Sequence, residues 1–141
     1  MRQRAAGEGF FMDMPWKKMA PVDPKGEYLV LLTYLPLKKH RAIPRFFWST
    51  FAILKQLAGS AGILGYALRA KLLQKNFWTM SAWLDEKSLM DFAVRLPHSQ
   101  VMKALAHDMG PTKFIRWRVA GSDVPLGWDV AIERARREAQ P

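Results

Sequence analysis

A chain of 141 residues, half of them hydrophobic, is the size of one ordinary domain and has enough apolar side chain for a real core. It contains no cysteine, which excludes disulfides, thiolate nucleophiles and cysteine-ligated zinc. The net charge of +10 favours an anionic partner (nucleic acid, lipid headgroup or carboxylated ligand), or serves solubility and cation-favouring helix C-termini.

Residues 1–26 read as an N-terminal tail. Pro15, Pro21 and Pro24 punctuate it, no period is sustained, and Trp16 and Met19 are available to pack on the domain. Its charges, from Arg2 to Lys18, leave no apolar stretch of signal-peptide type, so a cytoplasmic location is expected. EYLVLLTYL, 27–35, reads as a strand buried on both faces and ended by Pro36. A basic turn with Lys38, Lys39, His40 and Arg41 leads to a helix over 43–58, with Pro44 in its first turn. Phe47, Phe51, Leu54 and Ala58 repeat at helical spacing, and Phe46, Ile53 and Leu57 widen the apolar surface. Phe46, Phe47 and Trp48 in these basic surroundings suit peripheral contact with a membrane. The apolar region 43–68 is too interrupted, by Arg45, Lys55 and three glycines, to span one.

Strands are expected over 62–72 and 77–84. In the second, Trp78, Met80, Ala82 and Leu84 form an apolar face suited to lie under helices. Phe77, Thr79, Ser81 and Trp83 form a mixed face suited to a pocket or a second interface. Asp85 caps a helix to about Leu96, broken by Pro97. A short helix follows, with Val101, Met102, Leu105 and Met109 inward, then a strand over 112–119. A helix over 126–139 closes the chain, with Trp128, Ala131, Ile132 and Ala135 on one side.

The order is β-α-β-β-α-β with an added C-terminal helix. This predicts an α+β, ferredoxin-like βαββαβ fold with a four-stranded antiparallel sheet over 27–120 and a helix in 121–141. With helices on one face only, the other is too apolar to remain wet. A homodimer that joins two sheets into a barrel would cover it.

GILGYALRA, FWTMSAW, DEKSLMDFAVRLPH and TKFIRWRV, within 27–120, resemble the dimeric α/β-barrel superfamily of antibiotic-biosynthesis and haem-degrading monooxygenases. The nearest resemblance is to a branch related to spheroidene monooxygenase. The resemblance implies a pocket between sheet and helices on each protomer. Some such proteins oxidise polycyclic aromatic substrates without metal or flavin. Others bind haem through a histidine on the helix after the third strand, with a tryptophan ending that strand and an asparagine on the first. Trp83 and His98 match the first two in kind. His98, however, lies fifteen positions after Trp83 and beyond a proline, and the first strand has Thr33 and Tyr34 but no asparagine.

His98 is the candidate base or haem ligand, against a role in bonding the start of the next helix. Trp83, Ser81 and Thr79 read as a pocket wall with hydroxyl donors, or as plain core. Phe51 and Phe77 extend that wall. Tyr34 and Tyr66 are candidates to orient a substrate, and Arg116 to bind a carboxylate or propionate. His40 and His107 read as solvated and as favouring a helix C-terminus. Three scattered histidines make no metal site. The functions in view are a monooxygenase that needs no cofactor, a haem-binding protein, and a non-enzymatic ligand-binding dimer. Nucleic acid is not expected, because the aromatic signature of an RNA-binding sheet is missing.

Overall fold

The structure, a computed structural model, describes residues 11–94, 103 and 106–139. Five strands form one antiparallel sheet: β1 (Phe11–Lys18), β2 (Glu27–Pro36), β3 (Ile63–Lys71), β4 (Asn76–Trp83) and β5 (Lys113–Ala120), in the order β1-β3-β4-β2-β5. Helix α1 (Ile43–Ala58) joins β2 to β3, α2 (Glu86–Val94) follows β4, and α3 (Trp128–Ala139) follows β5. Without β1, the order β5-β2-β4-β3 is the ferredoxin-like arrangement that the element pattern predicts.

The sheet has five strands rather than four, because part of the expected tail is β1. Residues 11–18 pair with β3 at the sheet edge. Pro15 sits where the register shifts between Met14 and Lys17, and an edge strand tolerates the missing N–H there. Trp16 lies over Gly65 of β3, where an added Cβ would overlap the indole.

β2 lies between β4 and β5 and is buried on both sides. Register assigns Leu29, Leu31, Thr33 and Leu35 to the same face as Trp83, Ser81, Thr79 and Phe77. α1 and α2 pack on this face, through Phe46, Leu57, Leu89 and Phe92 among others. The mixed set of β4 lies under α1 and α2, and Trp78, Met80 and Ala82 lie on the other face. Leu84 falls beyond the strand and is half exposed.

The second face is covered by α3. Trp128, Ala131 and Ala135 pack against Tyr28, Val30, Leu32, Met80, Ala82 and Trp117, helped by Trp16, Ala20 and Val22 from the N-terminal side. The expectation of an uncovered face needing a second copy is corrected on that point. Alternation in a strand shows which residues share a face, not what covers it.

Candidate functional site

Between the sheet and the pair α1–α2 is a cavity of about 460 Å³. Two cross-strand rows make its floor. One runs Arg116, Leu31, Ser81, Tyr66 across β5, β2, β4 and β3; the other runs Phe114, Thr33, Thr79, Leu68. Residues opposite each other across antiparallel strands share a face, so both rows point to the helices. The roof is Phe46, Thr50, Ile53, Leu54 and Leu57 of α1 with Leu89, Met90, Phe92 and Ala93 of α2. The Gln56 side-chain amide donates to the Phe92 carbonyl at 3.2 Å and ties the two helices together above the space.

The roof holds its shape for local reasons. α1 stops at Gly59, whose N–H donates to the Gln56 carbonyl at 3.1 Å. α2 starts at Asp85, whose carboxylate accepts from the Ser88 N–H at 2.9 Å and the Ser88 hydroxyl at 2.8 Å. These bonds hold the Asp85 carboxyl below its ordinary pKa, with the backbone N–H the larger cause. Asp85 therefore serves the helix. At the mouth, Arg116 donates to Glu86 at 3.1 Å, and both side chains are about half exposed.

The cavity is apolar with a few hydroxyls. The Trp83 indole N–H donates to the Ser81 hydroxyl at 2.8 Å. The Thr50 hydroxyl donates to the Phe46 carbonyl at 2.8 Å. Among the described residues, no partner engages the hydroxyls of Thr33, Thr79 or Tyr66. Such hydroxyls are free to orient a bound molecule.

Ser81, Thr79 and Arg116 line this space, as placed on the sheet by sequence. Trp83 does not line it. It is buried beneath the Phe92 ring, 5.3 Å between centroids, and acts by holding Ser81. Phe77 is buried beside the cavity against Phe46 (4.4 Å) and Phe47 (5.8 Å). Phe51 is 64% exposed on the far side of α1. Tyr34 lies on the opposite face of the sheet. Its hydroxyl donates to Asn76 at 3.0 Å, its ring tilts against Trp78, and burial raises its pKa. It lines a second cavity, of about 430 Å³, with Trp78, Lys113, Ile132 and Arg136. His98 lies outside the described residues.

Thr33 and Leu31 belong to the floor and were not singled out as pocket residues from sequence. Their signal is register: each faces Thr79 or Ser81 across the sheet. Tyr66, a candidate from sequence to orient a substrate, faces Ser81. The α1 side of the roof is legible in the inward repeat of Ile53, Leu54 and Leu57.

Among the described residues the lining offers no imidazole: His40 bonds the Leu73 carbonyl at 3.0 Å, and His107 is exposed. The tryptophan expected beside a haem ring is buried under α2. No group of three or more metal-ligating side chains exists among the described residues, and no helix there is long and apolar enough to cross a membrane.

No protein-family model matches the sequence, and no curated protein matches it. Similarity is found at the level of structure. A heme-degrading enzyme of Listeria monocytogenes superimposes with a TM-score of 0.60 at 15% identity, over 81% of this chain and 73% of that one. SnoaB, a cofactor-independent oxygenase of Streptomyces nogalater, gives 0.58 at 12% identity, over 71% and 99%. A protein of Fusobacterium nucleatum described as a proposed monooxygenase gives 0.61 at 12%, over 70% of this chain and 45% of its own length, so this chain spans less than half of it. The narrower likeness to spheroidene monooxygenase gains no support from these neighbours. At such identities the shared property is architecture, and the chain has the α+β, ferredoxin-like fold of the antibiotic-biosynthesis-monooxygenase-like proteins.

Proposed function

We propose that the chain binds a small apolar or aromatic substrate between the sheet and α1–α2 and oxidises it with molecular oxygen. The observation that carries this reading is the lining: aliphatic and aromatic walls with the hydroxyls of Thr33, Thr79 and Tyr66 turned to one space. A cofactor-independent oxygenase on the same fold supports it. The chemistry balances without an added reductant. An activated CH₂ loses a proton, the carbanion attacks O₂, and the hydroperoxide loses water to leave a carbonyl. One oxygen atom enters the substrate and the other leaves as water. The protein has to supply a dry space and a proton acceptor. His98, four residues after the end of α2, is our candidate for that acceptor.

Oxygen uptake with a panel of polyphenols and anthrones tests the reading. Uptake is expected with at least one compound. Thr79→Phe, which fills the floor, should abolish it while the circular dichroism spectrum is kept. His98→Ala should lower kcat by about 10²–10⁴-fold with little change in KM. Flat traces across the panel would overturn the enzyme and leave a ligand-binding protein.

A second reading, haem binding through His98, draws on the Listeria enzyme of the same fold. Hemin titration separates it: a Soret shift lost in His98→Ala supports ligation, and no shift rejects it. The homodimer is likewise a proposal, and a solution mass of one chain would reject it.

A further inference from the structure

We infer that the outer face of α1 docks the protein on an anionic lipid bilayer. The inference is independent of any oxidation in the cavity. Trp48 is 78% and Phe51 64% exposed, both on the side of α1 that faces away from the sheet. With Arg45, Ala52 and Lys55 they form one stripe at helical spacing. The opposite side of the helix is fully used, since Phe46 and Leu57 are core and Ile53 and Leu54 line the cavity. Nothing among the described residues covers the outer stripe.

The charges choose the occupant. From Tyr28 to Leu84 the chain holds no Asp or Glu, yet it carries Lys38, Lys39, Arg41, Arg45, Lys55, Arg69, Lys71 and Lys75. Lys38, Lys39 and Arg41 precede α1, so they lie at its N-terminal end. His40 fastens that end to the β3–β4 turn through the Leu73 carbonyl, and Leu73 is itself 67% exposed. Asp108 pairs with Arg45 at 3.2 Å and Asp13 with Arg69 at 2.9 Å, while Lys38, Lys39 and Arg41 have no acidic partner among the described residues. A helix N-terminus with three cations and no acid in its first turn gains nothing from its own dipole. Exposed indole and phenyl rings on a helix preceded by Lys38, Lys39 and Arg41 are instead the pattern of an interfacial helix. An acidic headgroup layer complements them, with each cation near the surface strengthening partitioning by about fivefold.

Vesicle sedimentation tests the inference with the full chain. Phosphatidylcholine vesicles containing phosphatidylglycerol should pull down the protein at about 0.1 M salt and release it towards 1 M, and pure phosphatidylcholine vesicles should not retain it. The pair Trp48→Ser and Phe51→Ser should weaken binding at least about tenfold. The triple replacement Lys38→Ser, Lys39→Ser, Arg41→Ser should weaken it at least about tenfold as well. All five positions are on the surface, and an unchanged urea midpoint shows that the fold is intact. No sedimentation with anionic vesicles, or sedimentation indifferent to both variants, overturns the inference. So does a fall in solution mass in the Trp48/Phe51 variant without vesicle binding in the parent, which would make the stripe a contact between copies. Binding of single-stranded RNA in place of vesicles would overturn it too.

Discussion

Trp83 is 1% exposed, and its indole N–H has the Ser81 hydroxyl as acceptor. Ser81 is also buried, at 9%, yet it lines the cavity. One side chain thus stands between core and site. Ser81→Ala would leave a buried N–H unmet and should cost about 1–3 kcal/mol in urea denaturation. Trp83→Phe should also destabilise the fold, by removing volume and the same bond. Made in the Trp83→Phe background, Ser81→Ala should cost clearly less than in the parent, because the donor it starves is gone. Strict additivity would mean that the bond contributes nothing. Parity along FWTMSAW makes Ser81 and Trp83 neighbours on one face, and that much was legible. Which of them meets the cavity depends on where the Phe92 ring of α2 folds back onto the strand, and alternation along the strand does not carry that.

Among the elements, α1 and α2 were legible because their signals are local: Pro44 in a first turn, Gly59 after a last one, Asp85 before a periodic run. β1 was hidden for an equally local reason. Pro15 and the bulge break its alternation, and its partner strand is some fifty residues away. What fixes it is the fit of Trp16 over Gly65, which two separate windows of sequence do not reveal. The start of α2 gives a pH test. The Asp85 carboxyl is held below its unfolded value, so its contribution is present above about pH 3.9 and is lost as pH falls through the folded value. Asp85→Ala should therefore lower the thermal midpoint at pH 7, and the gap from the parent should close in acid. Asp85→Asn keeps an acceptor for the Ser88 N–H and should lose less at pH 7. A gap that stays constant from pH 7 to about pH 2 would mean that the charged cap is not what starts the helix.

For the molecule as a whole, the decisive contact is α3 on the second face of the sheet. The amphipathic pattern of Trp128, Ala131, Ile132 and Ala135 makes the helix legible, but its destination is not. An apolar sheet face and an apolar helix stripe in one chain can meet each other or each meet a second copy, and both outcomes satisfy the same burial. Ala131 distinguishes them, because it is 0% exposed within the cluster of Tyr28, Val30, Leu32 and Trp117. Ala131→Glu puts an unpaired charge there and should lift the helix at a cost of roughly 3 kcal/mol or more. The uncovered face should then seek another chain, so light scattering should report a larger mass than the parent's at equal concentration. Val130→Glu, one residue away on the exposed side, should change neither stability nor mass appreciably. If Ala131→Glu left both readouts where Val130→Glu leaves them, α3 would not be what covers the sheet, and a partner would be needed after all.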